Sequence, residues 1–198
     1  LKPIEPPPAP MEMTAMDVLG PFPETINGNK YILVFSDYLT RWPEAFAIPN
    51  QTAEVIAQLF VEQIVFRYGV PKKLLTDKGT NFTGQVLQSI TNIFQILKLQ
   101  TTAYHPQTDG LVERFNQTLA NMLASYTNSK HKDWDTYIPS CLFAYRNAIQ
   151  PSTGETPFFL MYLRESNMPI DIEFPSTRYM ETPDSTTIML ERLGRVRK

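Results

Sequence analysis

The sequence predicts an α/β domain in which a mixed sheet carries helices on its faces. Two observations lead there. Short runs of β-branched and aromatic residues alternate with longer segments whose apolar residues recur at helical spacing, in the order β-β-β-α-β-α-β-α-α. Between the first two runs stands Asn27-Gly28, a tight-turn signal that favours an antiparallel hairpin at the start of the sheet.

Each element has its own warrant. Residues 1–14 are proline-rich (Pro3, Pro6, Pro7, Pro8, Pro10) and read as an extended linker. The fold begins near Ala15 with a short strand that carries Asp17 and stops at Gly20-Pro21. Lys30 to Asp37 contains YILVF, a buried-strand run, and Ala45 to Ile48 supplies a third strand. Thr52 is placed to cap a helix whose stripe is Val55, Ile56, Leu59, Phe60 and Ile64, and Gly69-Val70-Pro71 ends it. Leu74-Leu75-Thr76 then delivers Asp77 at the carboxyl end of a fourth strand. Val86, Leu87, Ile90, Phe94 and Leu97 mark the next helix, and Leu99 to Ala103 the fifth strand. A loop over Tyr104 to Gly110 leads into a helix with Val112, Phe115, Leu119, Met122 and Tyr126 on its apolar face. Trp134, Tyr137, Ile138, Cys141, Leu142 and Tyr145 mark one more helix, and a short one is expected over Ile188 to Val196.

Composition narrows the class. The 198 residues are 42% hydrophobic and 19% charged, an ordinary globular balance with room for one sizeable domain and tails. No apolar stretch approaches membrane-spanning length, and LKPIEPPPAP does not have the basic-then-apolar form of a secretory leader. Opening on Leu1, the chain reads as a piece of something longer. A single cysteine, Cys141, excludes an internal disulfide and fits a reducing compartment, and with His105 and His131 as the only histidines a His/Cys zinc site is not expected. Trp42, Trp134 and Cys141 are read as core. No G-x-S-x-G nucleophile motif and no phosphate-cradling glycine loop is present. The net charge of −2 is unevenly spread. Residues 1–66 hold 3 basic and 8 acidic groups (−5), residues 67–150 hold 9 and 5 (+4), and residues 151–198 hold 6 and 7 (−1). Attraction of phosphate depends on local charge, so the middle segment is the one suited to a nucleic acid.

That segment also holds two of three notable acids. Asp17 stands in TAMDVLGP, Asp77 in LLTDKGTNF and Glu113 in DGLVERFN, with 59 residues between the first pair and 35 between the second. Phosphodiester chemistry runs on two divalent cations about 4 Å apart that clamp the attacking and leaving oxygens. Mg²⁺ takes oxygen ligands and keeps several waters, so two or three carboxylates suffice. Converging acids repel one another, so such an arrangement needs bound cations or a strong structural reason. Asp77 at a strand's carboxyl end occupies the usual ligand position of open α/β sheets, although an Asx-turn there is also common. Glu113, Asn116, Gln117 and Ala120 share a helix face beside the apolar one, at i, i+3, i+4 and i+7. A glutamate in a first turn also favours the helix dipole.

The flanking words are more specific than the acids. MDVLGPFP, YILVFSDYLTRWPEAFAI, GVPKKLLTDKGTNF, TTAYHPQTDGLVERFNQTL and STGETPFFLMY resemble the integrase catalytic core of Ty3/Gypsy-class LTR retrotransposons and retroviruses, over about Met16 to Tyr162. The resemblance implies a ribonuclease-H-like fold with five strands flanked by helices, and a polynucleotidyl transferase of the DDE type. It divides the chain into a linker (1–14), a catalytic core (15–163) and a tail toward a further carboxyl-terminal domain (164–198). Asp17, Asp77 and Glu113 become catalytic ligands of two Mg²⁺ (or Mn²⁺) ions, and Asp37 in FSDYL becomes structural. Lys78, Asn81, Tyr104, His105, Gln107, Arg114, Asn116 and Gln117 become DNA contacts, with Tyr104 to Gly110 a hinged loop. The implied partners are retroelement DNA ends, target DNA and further copies of the chain, with no membrane. The implied setting is the nucleus, after assembly of a cytoplasmic particle. The amino-terminal zinc module of full-length integrases has no counterpart among these residues. Two alternatives stand beside this reading: a ribonuclease H, which typically uses four acids, and an integrase-derived domain that only binds DNA or protein.

Overall fold

The structure, a computed structural model, describes residues 7–77, 79–100, 106–127, 131–167, 192 and 194, with the backbone alone at 80, 83 and 106–111. It contains the five-stranded mixed sheet that the pattern predicts, in the order β3-β2-β1-β4-β5. Strands β1 (Met13–Leu19), β2 (Tyr31–Asp37) and β3 (Pro43–Ile48) run antiparallel, with Asp17 opposite Val34 and Thr14 opposite Asp37. Strands β4 (Lys73–Thr76) and β5 (Leu97–Gln100) add parallel to β1 and to each other. The central position of β1 explains its composition: strands buried on both faces read as apolar runs rather than as strict alternation, and Met13, Ala15 and Met16 are all buried.

Asn27-Gly28 does lie in the β1–β2 connection, where Gly28 adopts φ 80 and its N–H donates to the Thr25 carbonyl at 3.0 Å. Gly20, at the end of β1, is required by geometry. Its φ is 124, and a Cβ there would stand 2.9 Å from the Lys30 carbonyl oxygen.

One layer of helices comprises α1 (Ala53–Leu59), a π-helical turn over Phe60–Val65, α2 (Phe66–Tyr68), α3 (Thr80–Thr83) and α4 (Gln85–Ile93). Thr52 is the N-cap of α1, although its side chain makes no capping bond. Ile56, Phe60 and Ile64 are buried from that stripe, and Phe60 stacks on Phe35 of β2 with ring centroids 6.1 Å apart. Helix α5 (Pro106–Tyr126) packs on β1 and β2 through Val112, Phe115, Leu119 and Leu123. Burial of side chains this size stabilises the fold by about 1.5–3 kcal/mol each. Helix α6 (Trp134–Arg146) buries Trp134, Ile138, Cys141 and Leu142, and burial pushes the Cys141 thiol pKa up.

The helices depart from expectation in four places. Leu97 belongs to β5, not to the preceding helix, and is exposed at the sheet edge. Val86 is exposed on α4 and only Leu87 and Thr91 are buried, because the helix offers the sheet side a narrower stripe than its sequence suggests. The residues Pro106 to Gly110, expected in a loop, are helical from Pro106 onward, which suits proline's fixed φ at a first helical position. Tyr126 faces outward and stacks on Tyr137 instead of entering the core, where Leu123 takes its place. The helix expected over Ile188 to Val196 lies outside the described residues apart from 192 and 194, and so does the fifth strand's extension to Ala103.

The chain divides into two compact units, residues 1–143 and 144–198. In the second, Thr156 caps α7 (Pro157–Tyr162) by accepting the Phe159 N–H at 3.0 Å. Arg192 pairs there with Glu155 and Glu165 and lies 3.6 Å over the Phe159 ring. All three notable acids lie in the first unit.

Candidate active site

Parallel pairing of β1 and β4 sets the site. Met13 pairs with Lys73, Thr14 with Leu74 and Ala15 with Leu75, a constant offset of 60 residues. Carried two residues further, the same offset brings Asp17 level with Asp77, the first residue beyond β4. Two acids 60 positions apart in sequence thus fall level near the carboxyl ends of neighbouring parallel strands.

Asp17 is partly exposed. Its Oδ1 accepts the Val18 N–H at 2.8 Å, and its Oδ2 accepts Asn116 Nδ2 at 2.7 Å. That second bond links β1 to α5, the helix of Glu113. Asp77 is exposed, and its Oδ1 accepts the Gly79 N–H at 2.8 Å in an Asx-type turn. The turn and the ligand position were alternatives in sequence, but one carboxylate has lone pairs enough for both. A Cβ at Gly79 would stand 3.0 Å from Asp77 Oδ1 and would meet the Asn81 amide oxygen, so glycine keeps the space beside Asp77 open.

Glu113 is exposed one turn before Asn116 on α5. Arg114 and Gln117 are also exposed, and Gln117 Nε2 donates to Asn121 Oδ1 at 3.1 Å. Of the other expected DNA contacts, Asn81 lies beside Gly79 on α3, and Gln107 is in the first turn of α5. Lys78, Tyr104 and His105 lie outside the described residues. Among the described residues no three acid, histidine or cysteine side chains stand close enough to hold a cation. The strand register brings Asp17 and Asp77 level, while Glu113 is carried on a helix packed against the same strand.

Asp37, the competing acid, is fully buried at 0% exposure. Its carboxylate accepts the Met11 N–H at 2.9 Å, the Thr40 N–H at 2.9 Å and Thr40 Oγ1 at 2.7 Å. Burial raises its pKa against the lowering effect of those donors. Such a residue organises the Asp37–Trp42 turn.

Two contacts were not foreseen from the sequence. The first is the Asn116–Asp17 bond, together with Asn116 Oδ1, a buried oxygen with no hydrogen-bond partner among the described residues. The spacing E-x-x-N puts both side chains on one helix face, and that was the available signal. The second is Asp135, whose Oδ2 accepts Thr25 Oγ1 at 2.9 Å, Asn27 Nδ2 at 3.0 Å and Asn29 Nδ2 at 2.8 Å. It ties the β1–β2 connection to the start of α6. Burial pushes its pKa up, but the three donors outweigh that and hold the carboxyl below its ordinary value.

An antiparallel three-strand half, two added parallel strands, an acid within β1 and another just beyond β4, and a third acid on α5 make a combination that can be compared with known proteins. The Integrase core domain family matches residues 7–106. The chain belongs to that family. It is 29% identical over 158 residues to the Retrovirus-related Pol polyprotein from transposon 412 of Drosophila melanogaster, covering 80% of this chain and 13% of that one. It is 39% identical over 136 residues to the Gag-Pol polyprotein of Feline leukemia virus, covering 68% of this chain and 8% of that one. The chain therefore spans a small part of the curated relatives it matches. In three dimensions it resembles the HTLV-2 integrase catalytic core domain, with a TM-score of 0.63 and 20% identity over 78% of this chain and 99% of that one. At that identity the likeness concerns the fold, which is the ribonuclease-H-like arrangement of integrase cores.

Proposed function

We propose that this chain is the catalytic core of an LTR-retroelement integrase, which processes DNA 3′ ends and joins them to target DNA in a cation-dependent reaction. The observation that carries the reading is the β1/β4 register, which brings Asp17 level with Asp77 while α5, the helix of Glu113, is bonded to Asp17 through Asn116. The core runs over residues 15–163.

In this reading Asp17, Asp77 and Glu113 supply carboxylate oxygens to two Mg²⁺ or Mn²⁺ ions. The donor set fits hard cations, being all carboxylate oxygen. When bound, such ions stabilise charge on the attacking and leaving oxygens of an in-line displacement. The chain's own residues do the rest. Asn116 holds Asp17, the Gly79 N–H holds Asp77, and α5 presents Glu113 to the same edge. No protein nucleophile is needed, because water or a DNA 3′-hydroxyl attacks directly. Lys78, Asn81, Tyr104, His105, Gln107, Arg114 and Gln117 are the residues we assign to DNA, with Lys78 and Arg114 on phosphates. The +4 balance of residues 67–150 favours this assignment.

The HTLV-2 core, described as a trimeric form in complex with magnesium, supports both the cation and self-association. Partners are retroelement DNA ends, target DNA and other copies of the chain, and the site of action is the nucleus. Among the described residues no helix is long and apolar enough to cross a membrane.

Strand release from a branched DNA substrate tests the reading, with Mn²⁺ or Mg²⁺ and with Glu113→Gln as the comparison. Cation-dependent release that falls to background in the variant is the expected result. Release that Glu113→Gln leaves intact would remove Glu113 from the site.

A further inference from the structure

We propose that Lys98 is a positioning residue for Asp77: its ammonium seats on α3 and, through that single turn of helix, fixes the backbone that holds the Asp77 carboxylate. The proposal rests on the three-carboxylate reading above and extends it to a residue of β5 to which that reading gives no role.

Three hydrogen bonds in series carry the argument. Lys98 Nζ donates to the carbonyl oxygen of Phe82, near the carboxyl end of α3. The Phe82 N–H donates to the Gly79 carbonyl at 3.0 Å and closes that turn. The Gly79 N–H donates to Asp77 Oδ1 at 2.8 Å. A cation on β5 is thereby linked to a carboxylate just beyond β4. The pairing of Leu74 with Lys98 and of Thr76 with Gln100 keeps the two strands in step.

Helix α3 needs such an anchor. Four residues are too few for a helix to hold itself, because nucleation is unfavourable and tertiary contacts supply the stability. Phe82 is buried, and Lys98 binds the carbonyl of that same residue. A positive charge also suits the carbonyl end of a helix. Lys98 itself is partly buried, burial lowers its pKa, and no ion pair among the described residues includes it. An ammonium so placed gives up hydration for one neutral acceptor, which makes it a poor source of general stability. What the bond supplies is a charge-assisted link of fixed length between β5 and the turn at Asp77.

The test compares the full chain with Lys98→Met, Lys98→Arg and Asp77→Asn. Methionine keeps the unbranched stem and removes the charged donor. Hydrogen exchange of the Gly79 amide, read by NMR in EDTA, reports the turn without any cation, and calorimetry reports Mn²⁺ affinity. In Lys98→Met, Gly79 exchange should be faster by about tenfold or more, as for the loss of one hydrogen bond to a charged group. Amides of β1 and β2 should exchange as before. Mn²⁺ affinity should fall about 10–100-fold, as when a group that orients a ligand is lost, and Lys98→Arg should recover both. Gly79 exchange and Mn²⁺ affinity unchanged in Lys98→Met, while Asp77→Asn loses the cation, would overturn the proposal and leave the carboxylate site standing. Exchange accelerated equally at Gly79, β1 and β2 would overturn it too, making Lys98 a residue of general stability. So would DNA affinity lost in EDTA with Gly79 exchange unchanged, which would make Lys98 a phosphate contact. If Asp77→Asn binds Mn²⁺ as tightly as the unmodified chain, the carboxylate reading fails and this proposal with it.

Discussion

Asp17 and Asp37 belong to the same pair of antiparallel strands, and their surroundings differ in every respect that matters for chemistry. Asp37 is fully buried and takes three hydrogen bonds from Met11 and Thr40. Asp17 is partly exposed, level with a second carboxylate across the parallel β1/β4 pair, and held by an amide from α5. The first is enclosed by donors from its own turn, at Thr40, and from the segment before β1, at Met11. The second is held by Val18 and by an amide from a different element, on the strand edge next to Asp77. A carboxylate is structural where buried N–H and O–H groups enclose it, and a candidate for chemistry where another acid shares its exposed edge.

Substitutions sharpen this contrast. The largest effect on activity is expected from Asp17→Asn and Asp77→Asn, each reducing cation-dependent strand release to background. Because neither site is a packed interior, urea unfolding of both variants should lie within about 1 kcal/mol of the unmodified chain. A loss of several kcal/mol at Asp17 would mean that it resembles Asp37 after all.

Asp37→Ala should show the converse. It leaves buried donors at Met11 and Thr40 unpaired, at about 1–3 kcal/mol for each unsatisfied group, so urea unfolding should register about 3 kcal/mol or more of lost stability. Strand release per folded molecule should persist. An activity loss without a stability loss at this position would break the distinction.

The smallest expected effect is a pH slope. Burial raises the Asp37 pKa above its ordinary 3.8, so just above that value the folded chain keeps a proton the unfolded chain has released. Stability from this group is then greatest at low pH and declines as pH rises from 3.8 through the folded value. Asp37→Asn cannot ionise and should lack that decline. Asp135 slopes the other way. Its pKa is held below 3.8, so its contribution is present above 3.8 and is lost as pH falls through the folded value. Urea midpoints measured across the acid range for the unmodified chain, Asp37→Asn and Asp135→Asn check both signs.

Much of this organisation was legible beforehand. YILVF reads as a strand buried on both faces, Asn27-Gly28 as the turn of an antiparallel connection, and Val112, Phe115 and Leu119 as one face of a helix, because period and turn chemistry are local properties. Where locality ended, the reading slipped. Leu97 fits a helical stripe and a strand equally well, and only its parallel pairing with Lys73 places it in β5. Tyr126 and Leu123 both suit the inner face of α5, and the packing selects Leu123. Nothing within reach of Asp135 in sequence announces that Thr25, Asn27 and Asn29 converge on it from more than 100 positions away.

By itself the sequence determined the kind of fold and the candidate acids, since hydrophobic period, turn residues and the words around Asp17, Asp77 and Glu113 are all written along the chain. The tertiary structure decided which acids fall level. A strand register is a relation between segments, set by how β4 inserts beside β1, and that offset of 60 brings Asp17 level with Asp77. The same packing turned Asn116 onto Asp17 and enclosed Asp37 between its own turn and Met11, because burial and hydrogen-bond partners exist only once distant segments touch.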